Sequence, residues 1–216
     1  MTEVGEGGRL DPRIVAEVLA ALAYGERRGA QRSQQSVGLA PDGRSKTEQQ
    51  AVASRERRNW ELIEARFREL GDETQTDLFR PYFDAFFEHT EPSDWVEAQT
   101  FHYIGDALVS DFTDALVPLL DPVSAEVVRR ALGDREDQET FALDELSRAM
   151  QEDPAVDRLD RAVERLHGLV AGELDGGSRV DASVETELLA IMGELAVGLI
   201  PDAADRAERL ADQLAR

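Results

Sequence analysis

The chain has 216 residues, enough to bury a full core as one domain with an appendage. Its 45 acidic residues outnumber 24 basic ones, and the resulting formal charge of −21 sets up a field that repels phosphate backbones, which argues against a nucleic-acid partner. No cysteine is present, which excludes a disulfide framework and any thiolate metal site, and no apolar run approaches the roughly 20 residues of a membrane span. The opening MTEVGEGGRL has neither the basic nor the apolar part of an export signal, so the expectation is a cytoplasmic protein without a membrane partner.

Residues 1–11 read as a flexible N-terminus. Helices follow over about 12–32, 46–70, 93–118, 122–151, 154–174 and 181–199, with a short one from 202. Asp-Pro pairs open three of them, at Asp11-Pro12, Asp121-Pro122 and Asp153-Pro154. The Asp accepts from the free N–H groups of a first turn, and Pro suits the position where no N–H is needed. Ser93-Asp94, after Pro92, is a fourth start.

In the first helix Ile14, Val18 and Leu22 step by four and arrive at Glu26. The turn-rich SVGLAPDGRS leads to the second, where Val52, Glu56, Asn59, Ile63 and Phe67 form one stripe. The passage DLFRPYFDAFFEHTEPSD, carrying Leu78, Phe79, Tyr82, Phe83, Phe86 and Phe87, reads as a long connection that seals one side or end of a bundle, or closes over a pocket. The third long helix offers two acids, Asp106 and Asp111. A hairpin about Val117–Pro122 favours Asp106, because it puts that residue level with Arg135 and Gln138.

The fourth long helix, 122–151, has Val128, Ala131, Leu132, Ala142, Leu146 and Ala149 at helical spacing around Arg135, with Gln138 and Glu139 to either side. A guanidinium on a buried stripe needs a reason. Strand-like alternation is absent, so the fold class is all-α: a ferritin-like antiparallel four-helix bundle over 12–175 with additional C-terminal helices. In the tail, 176–216, Val184, Leu188, Ile191, Leu195 and Leu199 make an apolar stripe ending before Pro201. This stripe suits a homodimer or protein partner, or packing on the bundle itself.

One polar layer thus crosses four helices as Glu26, Glu56-x-x-Asn59, Asp106 and Arg135-x-x-Gln138. Di-iron carboxylate bundles place a Glu on each of two helices and Glu-x-x-His on each of the other two, since carboxylates and neutral imidazoles suit iron and the i, i+3 spacing shares a face. The stretches VLAALAYGE, SDWVEAQTFHYIGDALVSDF and LDPVSAEVVRRAL resemble the actinobacterial ferritin-like, tRNA hydroxylase-like (MiaE-like) family. That resemblance implies a ferritin-like bundle over about 12–175. In active members it also implies a non-haem di-iron site that activates O₂ to hydroxylate the isopentenyl group of 2-methylthio-N6-isopentenyladenosine in tRNA. By motif, Glu26, Glu56 and Asp106 fall on carboxylate ligand positions. Asn59 stands where the second helix would supply His, and Arg135 and Gln138 where the fourth would supply Glu and His.

His89, His102 and His167 lie elsewhere, although His102, one turn before Asp106, is close enough to be borrowed. Neither a guanidinium nor a side-chain amide replaces imidazole as a ligand. The expectation is a bundle without its di-iron site and without a cofactor, acting as a binding or scaffold protein, with Arg135 supplying the positive charge that iron would have brought. Two alternatives stay open. One is a di-iron oxygenase of the tRNA hydroxylase type; the other is a mononuclear metal or small-ligand site using Glu26, Glu56, Asp106 and Glu139.

Overall fold

Aspartates start four of the helices, and each does so by accepting a backbone N–H that the first turn leaves free. In the computed structural model, which describes residues 10–71, 76–133, 135–151 and 155–173, Asp11 caps α1 (Pro12–Ser36) through Arg13 N at 2.8 Å. Asp42 caps α2 (Gly43–Glu69) through Ser45 N at 2.8 Å. The short α3 spans Thr76–His89. Asp94 caps α4 (Trp95–Leu116) through Glu97 N at 3.0 Å, and the Glu97 carboxylate accepts in return from Ser93 N at 2.8 Å. A 3-10 turn over Val117–Leu119 leads to α5 (Pro122–Leu132), where Asp121 accepts from Val123 N and Ser124 N. Last come α6 (Glu136–Ala149) and α7 (Ala155–Glu173). The structure is all-α, with no strand among the described residues. Among the described residues no helix is long and apolar enough to cross a membrane.

Three expectations change. The passage read as a connection holds the helix α3, which packs on α1. Pro81 removes an intrahelical donor inside it and obscures the pattern. The helix expected over 122–151 is two helices, broken after Leu132. Gly133 closes α5 with its N–H on Arg129 O at 2.9 Å, and a Cβ there would lie 2.5 Å from that same oxygen. Only glycine fits this turn. Arg135 therefore sits at the N-cap of α6 and not in mid-helix. Finally, α2 begins three residues earlier than expected, because Asp42 is its cap, and it ends at Gly71, which takes the left-handed conformation at φ 82°. The Asp153-Pro154 start, His167's side chain, Leu78, Phe79, Tyr82 and the tail stripe Val184, Leu188, Ile191, Leu195 and Leu199 fall outside the described residues or side chains.

The bundle members are α1, α2, α4 and the broken α5–α6, with α3 against α1 and α7 against α4. Two apolar clusters hold them together. The larger joins Ile14 to Ala23 of α1, Ile63 and Phe67 of α2, Leu116 and Leu120, and Val128 and Leu132 of α5. The smaller joins Val96 of α4, Leu146 of α6, and Ala155 and Leu159 of α7. Removing a fully enclosed side chain such as Leu19 or Ile63 would cost about 2–5 kcal/mol. Along α4 the smaller cluster comes first at Val96 and the larger last at Leu116, and Asp106 lies between them. Along α5–α6 the order is Leu132, then Arg135 and Gln138, then Leu146. The polar layer separates two apolar halves.

A candidate site closed by an ion pair

All six residues of the expected layer are buried: Glu26, Glu56, Asn59, Asp106, Arg135 and Gln138. The break at Gly133 positions the key one. Arg135's carbonyl starts α6 by accepting from Gln138 N at 2.9 Å and Glu139 N at 3.0 Å, while its side chain, 4% exposed, turns into the core. There Nη1 donates to Asp106 Oδ1 at 2.5 Å and Nη2 to Glu26 Oε1 at 2.7 Å. One guanidinium thus joins α1, α4 and α6. Gln138 Nε2 donates to the second oxygen of Asp106 at 3.4 Å. Of the two acids weighed on α4, Asp106 is buried, whereas Asp111, like Glu139 of α6, is half-buried.

Glu56 takes no hydrogen bond from Arg135, although it lies within its field. Burial first, and then the Asp106 carboxylate, push the Glu56 carboxyl up to about 8, with the Ser33 hydroxyl and Arg135 pulling the other way. It therefore keeps its proton at neutral pH. Glu26 is also raised by burial, against the downward pull of Arg135. The guanidinium itself stays charged: the pull of Glu26 and then Asp106 outweighs the cost of burying it. Two carboxyl groups thus bond to the guanidinium, and a third, Glu56, lies in its field without a bond to it. Among the described residues, Glu26 Oε2, Glu56 Oε2, Gln138 Oε1 and Arg135 Nε have no hydrogen-bond partner.

His102 is engaged elsewhere. Its Nε2 lies 3.1 Å from Gln49 Nε2 and 3.4 Å from Ser33 Oγ, both of which can donate to it. Gln49 in turn accepts from Gln99 Nε2 at 3.0 Å. Burial holds the imidazole below its ordinary pKa, so it is neutral with its proton on Nδ1. His89 ends α3 and is exposed. This second polar network was missed from sequence, yet its signal was there. The α2 stripe extends backward from Val52 in the same steps of three and four to Gln49 and Ser45. Another buried acid, Glu145 of α6, was also missed; its Oε2 accepts from Ser45 Oγ at 2.8 Å, Trp95 Nε1 at 3.0 Å and Arg148 Nη2 at 2.5 Å.

These residues do not fit a di-iron centre. The oxygens of Glu26 and Asp106 hold the guanidinium, the two positions where the resemblance implies imidazole carry amides, and the Nε2 of His102 faces its own donors. Among the described residues no three His, Asp or Glu side chains come together in a way that could hold a metal ion. What the layer can do is hold a fixed positive charge and a protonated carboxyl deep between the helices.

A search of curated proteins finds no match. A model of the ferritin-like domain of actinomycetes matches residues 10–193, most of the chain and every residue of the polar layer. The chain belongs to this actinomycete ferritin-like family.

Proposed function

We propose that this chain is a ferritin-like bundle in which an internal ion pair has taken the place of the di-iron site, and that it works as a binding or scaffold protein and not as an oxygenase. The Arg135 guanidinium bridging Glu26 and Asp106 carries this reading. A permanent cation at that point repels metal ions and supplies the charge that the carboxylates need. The retained acids have an energetic explanation as well. Once Arg135 is present, removing any one partner leaves buried charge unpaired, so the layer persists as a unit. Iron loading of the purified full chain under anaerobic conditions, followed by elemental analysis, tests the reading. The expected result is no stoichiometric iron or manganese. Two metal equivalents per chain would favour the di-iron hydroxylase of tRNA type, and one would favour a mononuclear site.

A further inference from the structure

The bonds of the polar layer leave part of its hydrogen-bonding capacity unused. Arg135 Nε, Glu26 Oε2, Gln138 Oε1 and Glu56 Oε2 are shut off from solvent and have no partner among the described residues. Polar groups inside native proteins are nearly all paired, with protein or with ordered water, so four orphans in one layer call for a shared partner. They come from α1, α2 and the start of α6, elements that meet at the Arg135 guanidinium or lie in its field.

Their chemistry narrows what that partner is. Arg135 Nε offers one N–H, and the free oxygens of Glu26 and Gln138 are acceptors. Nε and Nη2 share one edge of the planar guanidinium, and Nη2 already donates to Glu26 Oε1 at 2.7 Å. The unused donor and the unused oxygen of the same carboxylate are therefore neighbours that do not bond each other. A cation placed between them meets the guanidinium, and an anion meets Glu26. A small neutral group that accepts once and donates twice matches both, and water does this with the roughly two to four polar partners that a buried water needs. We infer that the layer holds a water molecule inside the bundle, which accepts from Arg135 Nε–H and donates to Glu26 Oε2. Its second hydrogen goes to the free oxygen of Gln138 or of Glu56. The inference rests on Arg135 being the internal cation. Iron loading tests that reading and the following experiment tests the water alone, so either can fail without the other.

Nuclear magnetic resonance of the full chain, labelled with nitrogen-15 and carbon-13, provides the test. The Arg135 Nε–H signal, assigned through its own side-chain carbons, should exchange slowly with bulk solvent. In a rotating-frame experiment, where exchange and dipolar contact have opposite signs, it should give a dipolar cross-peak at the water frequency. Oxygen-17 relaxation dispersion should show at least one water per chain that stays bound longer than the molecule takes to tumble. Glu56→Gln removes a neighbouring carboxyl proton that could relay the signal, and in this variant, shown to be folded by circular dichroism, the cross-peak should remain. The measurements on the parent chain stand without the variant. The inference is overturned if the Nε–H exchanges freely with bulk solvent, if it shows no dipolar cross-peak to water, if the dispersion shows no long-lived water, or if the cross-peak disappears in folded Glu56→Gln.

Discussion

Arg135 and Glu26, 109 residues apart in the chain, meet at 2.7 Å in the centre of the bundle. Both are nearly devoid of solvent contact, so this is a buried pair whose strength depends on complete pairing. The same guanidinium also holds Asp106 at 2.5 Å. If the cation occupies the place of a metal, replacing it with ligands should restore metal binding. The triple variant Arg135→Glu, Gln138→His, Asn59→His is expected to take up at least one iron per chain on anaerobic loading. A triple variant that folds but binds none would show that this layer never had ligand geometry.

Glu56 gives the fold a pH dependence. Its folded pKa, about 8, lies above that of an exposed glutamate, so its contribution to stability is complete below the unfolded value and is lost as pH rises toward 8. Glu26, also raised, acts in the same direction. His102, held low by burial, acts oppositely: its contribution is present above its unfolded pKa and falls as the solution is acidified. Glu56→Gln keeps the shape and removes the titration. This variant should flatten the decline in stability between about pH 5 and 8 and melt higher than the parent at pH 8.5. Urea unfolding across that range measures it.

Much of this was readable in the residues. Periodicity alone puts Glu26, Glu56 and Asn59 inward, since each continues a stripe of Ile and Val at steps of three or four. Matching depth along a hairpin chose Asp106 over Asp111. What the pattern could not show was the break at Gly133, because apolar residues on both sides keep a helical period while the backbone between them leaves it. Arg135 reached the right place by a different route, from an N-cap and not from a helix face. The α3 helix stayed hidden for a simpler reason: Pro81 inside an aromatic-rich run reads as a loop. The Gln49–His102–Ser33 network was obscured because polar residues in a stripe look like its end, although here they continue it.

The glycine at that break can be tested directly. Gly133→Ala places a methyl 2.5 Å from the Arg129 carbonyl oxygen, so the turn must open. The expected loss is about 1–3 kcal/mol, more than the gain alanine brings to a helix end. An unchanged denaturation midpoint would mean that the turn has slack and does not fix Arg135.

Binding of tRNA is expected to be weak or absent at physiological salt. A chain at −21 with Lys46 as its one lysine has few groups to meet phosphate, and of the arginine-rich run in α2, Arg57 is already paired with Glu61 at 3.1 Å. Gel shifts with unmodified and isopentenyladenosine-containing tRNA provide the measurement. Saturable submicromolar binding would move the reading toward the hydroxylase.

The account depends most on Arg135 being the cation around which the layer is built. Arg135→Met keeps an unbranched chain of similar reach and removes the charge, leaving Glu26 and Asp106 buried and unpaired. Urea unfolding at pH 7 should then show a loss of about 3–5 kcal/mol, part of it recovered on acidification, where the Glu26 carboxyl, raised by burial, takes up its proton. A variant as stable as the parent at pH 7 would contradict the account, because a cation that can be removed without loss is not what holds these carboxylates in the core.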